Sequence, residues 1–142
     1  MNKTLAFAMF FGAGFPLAAS CATPLTSARV SVVSSTKGGT EAIGRGVTGT
    51  SRDHGGARLQ IVTEEIGRGQ HAQATLLGFA LREIRTEPLC NVGGQAKPCA
   101  GRGTIVGYRR TWDASGREDG NFQFTIFPVG LGSALRANLT VH

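Results

Sequence analysis

The stretch NFQFTIF, residues 121–127, decides the fold class, because its large apolar residues recur at every second position. Phe122, Phe124 and Ile126 alternate with polar residues, and successive side chains of a β-strand point to opposite faces of a sheet. The same period appears in ARVSVVSS, RLQIVT, GTIVGYRRTW and ALRANLTV. These stretches are therefore predicted to be strands with one buried face and one wetted face.

Clusters of turn-forming residues separate the predicted strands. They read KGGT, RDHGG, GRGQ, DASGREDGN and PVGLGS along the chain, and such clusters mark reversals of direction. Several short strands joined by turns form an antiparallel β-sandwich or a small barrel. We therefore expect an all-β fold with a single domain over residues 28–142, a length that suits one core.

The stretch QATLLGFALREIRTE, residues 73–87, fits two patterns. An amphipathic helix would place five apolar side chains on one face: Leu76, Leu77, Ala80, Leu81 and Ile84. A long strand would instead point Leu77, Phe79 and Leu81 inward. Gly78 costs a helix about 1 kcal/mol relative to alanine. This cost favours the strand, but over residues 74–87 the period leaves both alternatives open.

The N-terminus has the three parts of a secretory signal peptide. Lys3 precedes an apolar run over residues 5–17, and small residues follow it. The run is shorter than the roughly 20 residues that span a bilayer. We predict that residues 1–22 are this signal peptide and that cleavage follows Ala22. The mature protein would then be secreted or periplasmic, with no transmembrane segment and with a short flexible lead over residues 23–27.

Cys21 offers an alternative to simple release. The residues LAASC resemble the cleavage box of a lipoprotein, in which Cys21 would carry the lipid and become the mature N-terminus. Such a box usually has a larger aliphatic residue at the position of Ala18, so simple release is favoured. Both alternatives remove Cys21 from the count of free thiols.

Cys90 and Cys99 are the cysteines that remain after export. Exported proteins meet an oxidising compartment, so these two residues are predicted to form a disulfide. The bond would close the connecting loop of a hairpin whose second strand is GTIVGYRRTW. Two thiolates at this spacing with no nearby histidine match no zinc pattern. We therefore expect no metal site, and no pattern in the sequence predicts a cofactor.

The charge of the chain points to a class of partner. The sequence has 15 basic and 9 acidic residues and a net charge of +6. The basic residues are spread thinly, which argues against nucleic acid as the partner. For an exported protein, a basic surface favours a glycan or an anionic polymer of the cell envelope. The alternative is that the arginines only keep the surface soluble. The oligomeric state is not predicted.

The motif DHGG, residues 53–56, is the first candidate site. Asp53 could orient His54 and stabilise its charged form, and Glu64 could complete a general acid/base set. Glu65 faces away from Glu64 if both lie on a strand. The alternative is a turn, in which Asp53 bonds its own downstream backbone and the glycines supply positive φ. Catalysis by these residues is left open.

The stretch YRRTW, residues 108–112, is the second candidate site. Tyr108, Arg110 and Trp112 fall on one face of the predicted strand. A row of aromatic and arginine side chains binds sugars or anionic polymers by stacking and by bidentate hydrogen bonds. The alternative is that Tyr108 and Trp112 are core residues and that Arg110 lies along them with its charged head in water.

A series of short motifs in fixed order carries a family resemblance. The series is DHGG, then EIG with a second glycine two residues later, then ATLLG, GY, WDASG and GNF. It resembles the YolA-like family of small secreted bacterial proteins, whose domain has no assigned function. The resemblance covers about residues 53–141 and implies an exported, all-β, single-domain protein. Arg68 stands where relatives tend to carry an aromatic residue, and the loop from Cys90 to Cys99 looks like an addition.

These observations favour one function and keep a second. The first is a secreted bacterial β-sandwich binding module that recognises an envelope or extracellular component through Tyr108, Arg110 and Trp112. The second is a secreted hydrolase or toxin-like antibacterial factor that uses His54, Asp53 and Glu64. In the second case His54 and Glu64 must come within about 3–5 Å of each other or share one water. A purely structural role for both motifs is the third possibility.

Overall fold

The computed structural model describes residues 23–142, and the predicted signal peptide, residues 1–22, lies outside the described residues. Ten strands and no helix occur in this part of the chain, so none of it forms a helix that could cross a membrane. The strands are β1 Ser27–Ser35, β2 Gly39–Ala42, β3 Gln60–Ile66, β4 Gly69–Leu76, β5 Phe79–Ala80, β6 Arg82–Val92, β7 Gln95–Pro98, β8 Ile105–Asp113, β9 Gly120–Pro128 and β10 Leu135–Val141. The all-β prediction is confirmed.

The strands form two antiparallel sheets. One has six strands in the order β2-β1-β3-β8-β6-β7, and the other has four in the order β10-β9-β4-β5. The chain passes between the sheets from β3 to β4 through Gly67 and Arg68. On one side the backbone of Thr140 in β10 bonds to Thr48 and Thr50 of the β2–β3 loop. The sheets thus curl into a half-barrel over one core.

The predicted alternation builds this core. Phe122, Phe124 and Ile126 are completely buried, and each such side chain stabilises the fold by about 1.5–3 kcal/mol relative to an exposed position. The facing residues of the other elements complete the cluster: Val30, Val33, Ile43, Leu59, Ile61, Ala74, Leu76, Trp112, Ala114, Leu139 and Val141. Trp112 packs its ring against Phe124 at a centroid separation of 5.9 Å.

The alternation fails in β1. The sequence predicts Val30 and Val32 on one face, but the register shifts between these two residues. A bulge of this kind adds one residue to a strand and turns the following side chains to the other face. Val30 and Val33 therefore share the buried face, while Val32 is only half-buried.

Residues 73–87 are strand rather than helix, but they do not form one long strand. Leu77 and Gly78 make a turn between β4 and β5, and both have positive φ. The turn reverses the chain, so Leu77 and Phe79 are exposed and only Leu81 packs against the core. The expectation that Leu77 and Phe79 point inward is therefore wrong.

The predicted disulfide joins Cys90 and Cys99. As expected, the strand before Cys90 pairs with the strand that follows Cys99, as β6 with β8. The intervening loop has more structure than the turn residues suggest, because β7 folds back on the end of β6 in a second, shorter hairpin. We refer to β6 and β7 with their connecting turn as the β6–β7 hairpin.

The residues that precede β1 lie against the turn between the sheets. The carbonyl of Thr23 accepts a hydrogen bond from the Arg68 amide, and the Thr26 amide donates to the carbonyl of Ile66 (2.8 Å each). Ser27, placed in the lead by the sequence, is the first residue of β1. A Cβ at Gly67 would lie 2.0 Å from the Pro24 oxygen, so this close approach requires glycine. Flexibility of residues 23–27 stays a prediction.

The two ends of the half-barrel differ in what they contain. One end, here called the Arg68 end, holds the passage from β3 to β4, the start of β8 and the tip of the β6–β7 hairpin. The other end, the His54 end, holds the DHGG motif, which lies beside the β1–β2 turn. Each candidate site below belongs to one of these ends or to the sheet between them.

Candidate functional site

His54 is the only histidine of residues 23–142 that is fully buried. Its Nδ1 lies 3.1 Å from the Ser35 hydroxyl, and its Nε2 lies 3.1 Å from a carboxylate oxygen of Glu41. The Gly38 amide donates a hydrogen bond of 2.8 Å to the same hydroxyl. A Cβ at Gly38 would sit 2.5 Å from the ring, so the β1–β2 turn closes over the imidazole.

Glu41 is held as a carboxylate. It accepts hydrogen bonds from the Ser51 amide at 2.7 Å and from the Arg52 amide at 3.1 Å. These donors, with the Ser51 amide contributing most, lower the pKa of Glu41 to about 2. Ser35, His54 and Glu41 thus follow each other in the order of a nucleophile, a base and an orienting acid. The imidazole itself has no exposure to solvent, so these three residues form a buried polar network.

Asp53 and Glu64 do not join this network. Asp53 is exposed and pairs with Lys37, whose hydrogen bond lowers the pKa of Asp53. Ser34, the neighbour of Ser35, pairs with Gln60, whereas Glu64 lies four residues further along β3. At the usual rise per residue this is about 13 Å. The structure therefore does not bring His54 and Glu64 together, and the general acid/base set suggested by the sequence does not form.

The other two histidines lie apart from each other. His71 is exposed, with positive φ, at an irregularity in β4. His142 is held by its backbone, because its amide donates to the Thr50 hydroxyl and its carbonyl accepts from the His54 amide. No group of three or more His, Cys, Asp or Glu residues within 23–142 is placed to hold a metal ion.

Tyr108, Arg110 and Trp112 share one strand face as predicted, and that face points between the sheets. Trp112 is 2% exposed and donates its indole N–H to the Thr63 hydroxyl at 2.9 Å. Arg110 makes a bidentate contact with Glu65, whose side chain is completely buried, and its third nitrogen binds Glu83 at 3.1 Å. Burial raises the pKa of the Glu65 carboxyl. Trp112 and Arg110 thus make their contacts inside the protein.

Glu64 lies on the opposite face of β3 from Glu65, as the sequence indicates. The register places Arg29, Glu64 and Arg109 directly opposite each other on three neighbouring strands, β1, β3 and β8. Arg109 binds one oxygen of Glu64 at 2.6 and 3.0 Å, and Arg29 binds the other. The Glu64 side chain is 5% exposed, so a buried carboxylate carries an arginine on each side.

A groove opens beside this row. Three adjoining cavities of about 320, 270 and 160 Å³ all include Arg45, an exposed residue in the loop after β2. We call them together the Arg45 groove. Its floor is formed by the start of β1 and the end of β3, and one wall is the tip of the β6–β7 hairpin, with these lining residues: Arg29, Glu64, Ile66, Gly94, Gln95 and Ala96.

Arg45 has no counter-charge. Within residues 23–142 it takes part in none of the salt bridges, whereas Arg29 and Arg109 share Glu64. The groove region therefore combines three guanidinium groups with one carboxylate. Such an excess of planar, bidentate donors suits a phosphate or a carboxylate. Sequence reasoning missed this site, because Arg29, Arg45 and Glu64 stand in no common motif.

A separate cavity of about 290 Å³ lies at the Arg68 end. Thr23, Arg68, Ile105 and Tyr108 are among its lining residues. Tyr108 is therefore the only member of the predicted aromatic–arginine row that borders one of these four cavities.

The family model described as a domain of unknown function (DUF4879) matches residues 16–134. No curated protein and no solved structure matches the chain.

Proposed function

Because the chain belongs to the DUF4879 family, a domain of unknown function, we propose its role from its own geometry, as a binding protein that holds an anionic polymer of the cell envelope in the Arg45 groove. We further propose that it is a small secreted bacterial protein of the YolA-like kind. The observation that carries the binding role is Arg45, a cation without a counter-charge at the junction of three cavities.

The charge balance of the groove supports an anionic ligand. Glu64 neutralises at most one of the two arginines that flank it, and Arg45 adds another positive charge. Arginine forks bind phosphate and carboxylate oxygens in pairs, which gives both affinity and orientation. All three cavities border Arg45, and two of them also share the tip of the β6–β7 hairpin, so an anionic ligand there would contact both Arg45 and the hairpin.

The disulfide and the N-terminus support export. Cys90 and Cys99 are bonded, and bonds of this kind persist in oxidising compartments. The N-terminal residues carry the charged start, short apolar run and small-residue end of a signal peptide. An exported basic protein meets the phosphate- and carboxylate-bearing polymers of the envelope at once, and electrostatic attraction speeds that encounter.

The geometry favours binding over the hydrolase alternative. A hydrolase built on Asp53, His54 and Glu64 would need these side chains in one place. Asp53 instead pairs with Lys37 at the surface, His54 is buried in the β2–β3 loop, and Glu64 lies about 13 Å away along β3. The serine next to His54, Ser35, already accepts a hydrogen bond from the Gly38 amide. We expect a fluorophosphonate probe to leave Ser35 unmodified in an intact-mass measurement. Covalent modification of Ser35 would instead support the hydrolase.

A pulldown and titration series tests the groove. The exported protein is titrated with peptidoglycan, lipopolysaccharide and teichoic acid, and we expect binding to at least one of them. Arg45→Glu should weaken that binding at least tenfold, because it reverses the unpaired charge. Arg58→Glu, at an exposed residue of the His54 end, makes the same change in net charge away from the groove and should alter the affinity by less than threefold.

Two results would contradict the proposal. One is that none of the three polymers binds at low ionic strength. The other is that Arg58→Glu and Arg45→Glu weaken binding equally, since the attraction would then come from net charge alone. Urea unfolding of both variants controls for the fold, because exposed substitutions of this kind usually change stability by less than about 0.5 kcal/mol.

A further inference from the structure

Exposed apolar side chains are concentrated at the Arg68 end. Within residues 23–142, nine large hydrophobic residues are exposed, and five of them lie at this end: Val92, Ile105, Phe127, Val129 and Leu131. Leu131 is 104% exposed, at the tip of the β9–β10 loop. The Val129 amide bonds to the Arg68 carbonyl, which places that loop beside the turn between the sheets. Exposed apolar side chains gathered at one end of a protein are a candidate interaction surface.

The exposed charges at this end are basic. Arg68 flanks the β9–β10 loop, while Lys97 and Arg102 lie in and after β7, beside the start of β8. Within residues 23–142 the exposed acidic residues are Asp53, Glu118 and Asp119. All three lie at the His54 end, where Asp119 contacts Gly55. In the described part of the chain, the Arg68 end therefore combines apolar tips with exposed basic residues only, whereas the His54 end carries exposed residues of both signs, including Lys37, Arg52 and Arg58.

We propose that the Arg68 end is a membrane-docking surface, whose apolar tips enter the interfacial region of an anionic lipid bilayer while Arg68, Lys97 and Arg102 contact the headgroups. Charge complementarity selects this occupant, because a basic residue near an anionic bilayer contributes about 1 kcal/mol. Exposed leucine and valine side chains gain further by leaving water.

The course of the chain agrees with this orientation. Thr23 lines the same cavity as Arg68 and Ile105, so the chain enters the described part of the fold at the docking surface. If Cys21 were lipidated, its anchor would therefore be two residues from the end that faces the bilayer. The Arg45 groove opens beside the same end, which would hold a captured polymer close to the membrane. The docking proposal does not depend on that groove.

Vesicle flotation tests the proposal. The chain is expressed in full with Cys21→Ser, so that no lipid is attached, and the exported product is mixed with vesicles of phosphatidylglycerol and phosphatidylethanolamine or of phosphatidylcholine alone. We expect flotation with the anionic vesicles and at least tenfold weaker binding to the neutral ones. Val129→Ser with Leu131→Ser should weaken binding to the anionic vesicles at least tenfold.

A matched variant controls for loss of apolar surface elsewhere. Phe79 is 55% exposed at the His54 end, and β4 separates the two ends by about 23 Å at the usual rise. Phe79→Ser should leave vesicle binding within twofold. The Val129 and Leu131 variant should keep its affinity for the soluble polymer that binds the groove, so failure of docking and failure of polymer binding are separate results.

Three results would overturn docking. The first is no flotation of the unmutated protein with anionic vesicles. The second is equal flotation of the Val129 and Leu131 variant, which would leave only charge as the attraction. The third is a dimer in sedimentation velocity that this variant abolishes while vesicles stay unbound, because the apolar tips would then serve a second copy of the chain. Circular dichroism melts establish that each variant is folded.

Discussion

Glu64 and Glu65 are neighbours in β3 and have opposite surroundings. Glu65 points between the sheets, where it shares Arg110 with Glu83, so two carboxylates meet one guanidinium. Glu64 points to the other face, where Arg29 and Arg109 hold it between them. One cluster is buried and closed, and the other borders a groove that also contains an unpaired Arg45.

The difference shows that the two faces of a single strand can serve different purposes, one the stability of the fold and the other ligand binding. The alternation of a β-strand sends adjacent side chains to opposite faces. A charge on the inner face must be fully paired, because an uncompensated buried charge is expensive. A charge on the outer face can leave a neighbouring arginine available to a ligand. We therefore expect the Glu65 cluster to determine stability and the Glu64 cluster to determine binding.

The largest effect should come from Arg110→Ala. This change leaves the completely buried Glu65 carboxylate without a partner and should lower the free energy of unfolding by about 3–5 kcal/mol. Arg109→Ala, one residue earlier, leaves Arg29 on Glu64 and should cost about 1 kcal/mol. Urea unfolding measures both. Equal losses for the two variants would remove the distinction between the clusters.

The second effect concerns the wall of the groove. Replacing Cys90 and Cys99 together with serine opens a short loop and should cost about 2.5–3 kcal/mol in the chain-entropy description. The same change frees the β6–β7 hairpin, whose tip lines the Arg45 groove. Polymer binding should therefore weaken as well. An unchanged affinity in the folded double variant would mean that the hairpin is not part of the site.

The third effect extends the comparison to Glu41 in the His54 network. Its folded pKa of about 2 lies below its ordinary value of 4.5. The stabilisation is therefore fully present above pH 4.5 and is lost as the pH falls toward 2. We expect a loss of about 2 kcal/mol between pH 7 and pH 3 from this group. Glu41→Gln should be less stable at pH 7 and less sensitive to acid; a parallel pH profile in urea unfolding would refute the assignment.

The smallest effect should be an increase in affinity. Glu64→Gln removes the only carboxylate that lines the largest cavity of the groove and releases Arg29 and Arg109 toward the ligand. Binding of an anionic polymer should strengthen by about two- to fivefold in a titration at low salt. Glu65→Gln changes the charge equally on the inner face and should leave the affinity unchanged. Weaker binding of Glu64→Gln would place the ligand elsewhere.

Much of the fold could be predicted from the sequence, because a strand with one buried face has apolar residues at every second position. The spacing of Phe122, Phe124 and Ile126 identified the inner face of β9, and this required no knowledge of the adjacent strands. The bulge between Val30 and Val32 could not be predicted, since both registers of β1 offer apolar residues to the core. The turn at Leu77 and Gly78 was obscured by apolar residues that the structure exposes.

The candidate sites were harder to predict because they depend on strand order and register. Arg29, Glu64 and Arg109 meet only because β1, β3 and β8 are neighbours in one particular alignment. Ser35 and Glu41 reach His54 through the β1–β2 turn, and no spacing in the sequence marks that contact. The DHGG motif did identify a histidine with hydrogen-bonding partners, but the partners of His54 differ from the expected Asp53 and Glu64.

The margins of the two sheets have a consequence for the behaviour of the protein at high concentration. Three of the four outermost strands, β2, β5 and β7, have only four, two and four residues. The fourth, β10, has part of its backbone already bonded to Thr48 and Thr50. The neighbouring strands β6 and β4 stay uncovered beyond these short strands, but there Pro88 and four charged residues of β6 and the irregularity at His71 in β4 oppose pairing with another chain in a growing ribbon. Molecules crowded side by side on a two-dimensional support should consequently stay separate instead of joining into fibrils.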